Sequence, residues 1–175
     1  IVDRINGLGM PSGVSFTILN AINGRDVVNG VTNAPLKWKA ADWWKIQDHT
    51  NNWWARDINA AEVGCMLSHI IAWQTALKAG VKNALILEED FNSSGNGWPT
   101  KEMWSEVPSD FDFFYAGRRR VPGFEDIPHS KHVVKSNYVF NSHAYVISEV
   151  GMQKALSTNP AMDIIPTDEL IPGFL

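Results

Sequence analysis

One cysteine, Cys65, stands in 175 residues, which excludes an intrachain disulfide and any zinc site built from several thiolates. No uninterrupted apolar run approaches the roughly 20 residues of a membrane-crossing helix, and the chain does not open with a secretory signal pattern. Basic excess is also missing. The net charge of -4 gives no general surface for a polyanion, so duplex DNA or RNA is not expected as the main ligand. There is no Gly-rich phosphate loop, no Ser/His/Asp ordering and no paired metal-binding histidines, which leaves hydrolase and Walker-type readings without support. A metal-dependent phosphohydrolase or nucleotidyltransferase is the weakest reading for the same reason.

What is present fits one domain with a real core: 45% of residues are apolar and 19% charged, as in ordinary globular proteins. The eight tryptophans are an excess. Trp38, Trp43, Trp44, Trp53 and Trp54 crowd into residues 27–57, which have no clean periodicity. The segment is either a covering unit whose indoles pack on one another or a ligand-facing loop.

The most informative stretch is Ala84-Leu85-Ile86-Leu87-Glu88-Glu89-Asp90-Phe91. A short apolar run reads as a strand covered on both faces, as inside a parallel sheet. Open α/β sheets bind ligands beyond the carboxyl ends of such strands. Three successive acids there repel one another unless a cation or proton compensates. In an extended strand end Glu88 and Asp90 point one way and Glu89 the other. Two hard oxygen ligands suit Mg²⁺ or Mn²⁺ and leave coordination positions for substrate phosphates. His143 is a candidate third ligand, against the commoner structural role of a lone histidine.

Around this strand the pattern is α/β. Residues 1–9 read as a helix end stopped by Gly9 and Pro11. Val14, Phe16 and Ile18 alternate as a half-buried strand, and residues 21–26 form a loop turning at Asn23-Gly24. Asn59 and Glu62 make a capping box for a long helix that Gly80 ends, with Glu62, Cys65 and His69 on one side. A short helix follows from Thr100 to about Val107. The aromatic strand 111–115 is expected to end at Ala116-Gly117. Arg118, Arg119 and Arg120 then follow in a loop, suited to phosphate or carboxylate recognition or else paired with Glu125 and Asp126. Val133-Val134 reads as an edge strand and residues 143–147 as a stronger one, with Ser148 capping a helix to about Leu156. Asp168 and Glu169 lie between two prolines, in one helical turn at most. Asp168 is a candidate general base; the alternative is that both acids cap that turn.

With these residues in view, the chain resembles glycosyltransferase family 25, which includes lipopolysaccharide-type transferases and procollagen hydroxylysine galactosyltransferases. The likeness is carried in order by residues 21–24, by Ala61-Glu62-Val63-Gly64-Cys65-Met66-Leu67-Ser68-His69, and by Leu85-Ile86-Leu87-Glu88-Glu89-Asp90. It continues through residues 112–120, residues 144–151 and Pro166-Thr167-Asp168-Glu169-Leu170-Ile171-Pro172. The resemblance implies a GT-A fold, a Rossmann-like domain with a mixed, mostly parallel central sheet, here lacking its first strand and cut at both ends. It implies a UDP-sugar donor (UDP-galactose or UDP-glucose), Mn²⁺ or Mg²⁺, and an acceptor hydroxyl on collagen-like protein or a glycan. By matching position, Glu88 and Asp90 hold the metal, and His143 remains the candidate third ligand read from the residues. Asp168 is the base of an inverting reaction. Asn23, Gly24, Glu62, Ser68, His69, Arg118 and Arg120 face the donor. Trp43, Trp44, Trp53, Trp54 and Glu169 face the acceptor. Glu89 stands where the family usually has aspartate. The alternative reading is a non-catalytic sugar- or glycan-binding relative.

Overall fold

Helix α3, Ala60–Lys78, is the spine of the fold. Its first turn is fixed by a complete capping box: Asn59 Oδ1 accepts from the Glu62 amide at 3.0 Å, and Glu62 Oε2 accepts from the Asn59 amide at 2.9 Å. At the other end Gly80 takes φ +71°. Its amide donates to Leu77 and that of Val81 to Ala76, both at 3.0 Å, a Schellman closure that glycine makes without strain. Between the caps, Val63, Met66, Ile70 and Trp73 are buried at helical spacing. Full burial of Trp73 removes an area worth roughly 1.5–3 kcal/mol or more from water.

The computed structural model describes residues 2–10, 12–31, 58–92, 99–162 and 164–171. Helix α1 (Val2–Asn6) and helix α2 (Gly24–Val31) precede α3; strand β1 (Asn83–Leu87) and helix α4 (Lys101–Ser105) follow it. Strand β2 (Phe113–Arg120) comes next, then a small hairpin of β3 (Ile127–Pro128) and β4 (Val134–Lys135). The long strand β5 (Val139–Ser148), helix α5 (Glu149–Ser157) and the single turn α6 (Thr167–Leu170) complete the chain.

The main sheet has the order β1-β5-β2, and both pairings are antiparallel. The mostly parallel sheet expected from the apolar run is therefore corrected for the described residues. An unbroken apolar strand reports cover on both faces and not the direction of its neighbour. β1 and β2 do run in one direction, joined through α4, with β5 inserted between them. One face of this sheet meets α3 and α5, where Trp73, Tyr145, Ile147, Met152 and Leu170 make the centre of the core.

Two further expectations change. Val14, Phe16 and Ile18 form no strand and expose about half their surface (53%, 48% and 55%). Alternation makes a strand only where a neighbour takes its hydrogen bonds, and among the described residues none does. Asn23-Gly24 is not a loop turn but the start of α2: the Asn23 carbonyl accepts from the Asp26 and Val27 amides.

Gly24 and Gly64 let α2 cross α3 in backbone contact. A Cβ on Gly24 would lie 1.7 Å from the Ala60 carbonyl oxygen, and one on Gly64 would lie 2.5 Å from that of Ile22. Ser68 fastens the same crossing. Its Oγ donates to the Gly64 carbonyl at 2.6 Å and accepts from the Ile22 amide at 2.9 Å.

Candidate functional site at the end of β1

β1 ends at Leu87 and residues 88–91 fold into a turn, closed by the Phe91 amide donating to the Glu88 carbonyl at 3.2 Å. Arg4 of α1 clamps this turn, donating to the carbonyls of Glu89 (2.7 Å) and Phe91 (3.0 Å). Because the chain turns, strand alternation does not govern the three acids. Glu88 is half-buried, while Glu89 and Asp90 are both exposed.

Glu88 sits against α3. Its Oε1 lies 3.1 Å from His69 Nε2 and accepts from Ser142 Oγ at 3.3 Å. The other nitrogen of the buried His69 ring, Nδ1, lies 2.6 Å from Tyr145 Oη, which also accepts from Trp73 Nε1 at 2.8 Å. Burial works against an imidazolium here. Hydrogen bonds with Cys65 and Glu88, and then their charges, outweigh it and raise the His69 pKa to about 9. Conversely, the His69 hydrogen bond holds Glu88 below its ordinary value against the opposing effect of burial. Burial keeps Tyr145 protonated far above its usual range.

A second carboxylate joins from α6. Asp168 Oδ1 accepts from the Ser142 amide (3.1 Å) and Ser142 Oγ (2.9 Å), and Oδ2 accepts from the Asn141 amide (2.9 Å). Asn141 has φ +74°, and the β2–β5 register slips beside it, between Tyr115 and Gly117 and again between Gly117 and Arg119. Asp168 therefore holds a bulge whose left-handed position is taken by asparagine, a residue that visits this region more readily than most. Ser142 bridges the two acids, and its single proton can serve only one of them at a time. The shorter distance favours Asp168.

His143 follows the bulge. Its ring lies over Gly117, where a Cβ would come within 2.7 Å of Nε2. Among the described residues, the groups of three that could share a cation are Cys65/His69/Glu88 and Glu102/Glu106/His132. Asp90 and His143 belong to neither.

The remaining candidates are placed as follows. Glu62 closes the α3 cap, Ser68 and Gly24 build the α2–α3 crossing, and Asn23 Oδ1 accepts from the Arg25 amide at 3.1 Å. Arg118 and Arg120 lie within β2, which continues through the arginines rather than ending before them. Arg118 pairs with Asp126 at 2.6 Å, and Arg120 reaches the same oxygen at 3.1 Å. Arg120 remains 71% exposed, whereas Arg118 is 16% exposed. Glu169 is fully buried and accepts from Tyr138 Oη at 2.5 Å. Trp43, Trp44, Trp53 and Trp54 lie outside the described residues.

Sequence reasoning missed Ser142, Tyr145 and Trp73. The polar run Asn141-Ser142-His143, set before the apolar part of its strand, was the one local signal available for Ser142. Nothing local marks Tyr145 or Trp73.

The Arg118–Asp126 pair gives a stability prediction. The Asp126 side chain is 8% exposed, and the Arg118 hydrogen bond holds its pKa below the ordinary value against burial. A depressed carboxylate stabilises the fold above its unfolded pKa (about 3.9) and loses that contribution as pH falls through the folded value. Asp126→Asn should destabilise the fold at pH 7, at a cost near or below the roughly 3–5 kcal/mol of breaking a buried pair, and so lower the melting temperature. In a pH series of melts, wild type and variant should converge in acid; a gap that stays constant into acid contradicts the assignment.

The sequence pattern of Glycosyltransferase family 25 (LPS biosynthesis protein) matches residues 3–171. The chain belongs to glycosyltransferase family 25. It is 26% identical over 166 residues to a Bos taurus protein named "Probable inactive glycosyltransferase 25 family member 3", covering 91% of this chain and 27% of that one. To procollagen galactosyltransferase 1 of Danio rerio it is 28% identical over 134 residues, covering 73% of this chain and 22% of that one. To procollagen galactosyltransferase 2 of Homo sapiens it is 29% identical over 125 residues, covering 67% and 20%. The chain thus spans about a quarter of the length of these relatives.

Proposed function

We propose that the chain is a metal-dependent inverting glycosyltransferase domain of GT-A type. It moves galactose or glucose from a UDP-sugar to the hydroxyl of a hydroxylysine in collagen-like protein or of a glycan such as lipopolysaccharide. The observation that carries the reading is the meeting of Glu88, at the end of the apolar strand β1, with Asp168 through Ser142. Family membership and the procollagen galactosyltransferases among the relatives support it.

Glu88 and Asp90 supply hard oxygen donors for a divalent cation, and the turn at residues 88–91 would have to bring the exposed Asp90 toward Glu88 for both to share it. Glu88 Oε2 and both Asp90 carboxylate oxygens have no hydrogen-bond partner among the described residues, and all are carboxylate oxygens of the kind Mn²⁺ and Mg²⁺ take. Bound there, the cation would supply a positive charge to stabilise the departing diphosphate. Asp168 accepts the acceptor hydroxyl's proton. Its Oδ2 takes one internal hydrogen bond and so keeps a lone pair for this. Arg120, exposed on β2, offers its terminal N–H groups to donor phosphates.

A panel of UDP-sugars with Mn²⁺, scored by released UDP with and without chelator, tests the reading. Turnover with one sugar, lost on chelation and in Asp90→Ala, is expected. Donor binding indifferent both to chelator and to Asp90→Ala would falsify it. The second reading, a non-catalytic glycan-binding relative, is favoured by the three hydrogen bonds that already occupy Asp168. Its signature is nucleotide or glycan binding that ignores Mn²⁺ and gives no turnover.

A further inference from the structure

Cys65 and His69 are four residues apart on α3, so they stand one above the other on one face. Glu88 reaches that face from the end of β1. One ligand atom of each of the three lies within 4.8 Å of the others. We propose that these side chains form a binding site for a thiophilic divalent cation of the Zn²⁺ class, distinct in its donor chemistry from a site of carboxylates alone.

The ligand set decides the class of metal. A thiolate, an imidazole nitrogen and one carboxylate oxygen are the donors that four-coordinate Zn²⁺ favours, whereas Mg²⁺ and Mn²⁺ select oxygen. Three protein ligands leave the fourth position for water or a small ligand. Thr167 of α6 packs on the thiol, its Oγ1 3.6 Å from Cys65 Sγ. The imidazole is already oriented for the task. Nε2 faces Glu88, and Nδ1 is held at 2.6 Å by Tyr145, itself fixed by Trp73. A cation replaces the proton on Nε2 while Nδ1–H donates to Tyr145 Oη, the outer-sphere hydrogen bond that metal-binding histidines use. Binding releases the thiol proton of Cys65 and the Nε2 proton of His69, and no bond to carbon changes. Cys65 and Glu88 are partly buried and His69 is buried, so two of the three donors keep some exposure to solvent.

The test is a Co²⁺ titration of the whole chain, read by absorption, since a Co²⁺–thiolate bond gives a near-ultraviolet charge-transfer band and tetrahedral Co²⁺ gives visible bands. One equivalent of Co²⁺ should produce both, and Zn²⁺ should bleach both stoichiometrically. Cys65→Ser should abolish the charge-transfer band. His69→Gln and Glu88→Gln should weaken Zn²⁺ binding by more than the roughly 10–100-fold expected for losing an outer-sphere partner, and Tyr145→Phe by about that amount. Circular dichroism of each variant separates loss of ligand from loss of fold. Absence of the charge-transfer band in wild type overturns the proposal. So does a band that survives unchanged in folded His69→Gln and Glu88→Gln, because the cation then sits on the thiol alone. The readout does not depend on sugar transfer. Thiolate bands without UDP release would defeat the transferase reading and leave this site standing, and UDP release without the bands would do the reverse.

Discussion

Gly24→Ala should leave the chain largely unable to assemble α2 on α3. The added methyl would lie 1.7 Å from the Ala60 carbonyl oxygen and 2.8 Å from the Ala60 carbonyl carbon, both main-chain atoms of a capped helix. Neither can rotate away as a side chain does, so the helices must separate. Overpacking in a well-filled interior typically costs about 1–3 kcal/mol, and contact with rigid backbone places this variant at or beyond the top of that range. Gly64→Ala should behave alike, since its methyl would meet Ile22 and Gly24 backbone from the other side. Urea unfolding of both variants is the check, with the exposed Gly9→Ala as a comparison whose cost is confined to backbone strain at φ +61°. A Gly24→Ala midpoint within error of wild type would contradict the close crossing. Proximity of residues 21–24 to residues 61–69 in space thus has a packing explanation that does not require Gly24 to touch a donor.

The second large effect is expected at Asp168. Asp168→Ala removes three charge-assisted hydrogen bonds to the β5 bulge. Each such bond is worth roughly 1.5–3 kcal/mol, and they are not additive. Without them the left-handed Asn141 loses its support, and Ser142 and His143 lose their fixed place beside Glu88. Asp168→Asn keeps the shape but turns an amide N–H₂ toward one of the backbone N–H groups. On the proposed chemistry both variants lose the proton acceptor, so sugar transfer should fall about 10²–10⁴-fold. Donor-induced thermal stabilisation should persist in Asp168→Asn if the donor site is intact. Transfer within tenfold of wild type in folded Asp168→Asn would make Asp168 a positioning residue for the bulge and not a base.

Much of the helical architecture was legible because its causes are short-range. Asn59 with Glu62 announced the start of α3, Gly80 its end, and Ser148 the start of α5; each rests on atoms a few residues apart. The apolar run before Glu88 likewise gave β1 without reference to the rest of the chain. Readings that needed a distant partner fared differently. The alternation at residues 14–18 was real but found no pairing among the described residues. The arginines after Tyr115 looked like a loop because the strand that continues through them, opposite Val139 and Phe140, lies twenty residues away.

The site divides the same way. The sequence by itself determined that acids crowd the end of an apolar strand and that Cys65 and His69 share a helical face, since charge density and a 3.6-residue period are local properties. Only the tertiary structure decided what those acids do. It turned the chain after Leu87 so that Glu88 alone meets α3, buried Glu169 against Tyr138, and brought Asp168 to the amides of β5. Partners of carboxylates are chosen by where folding brings donors and removes water, and residues 65 to 168 converge on this site from α3, the end of β1, β5 and α6. No spacing along the chain encodes that convergence.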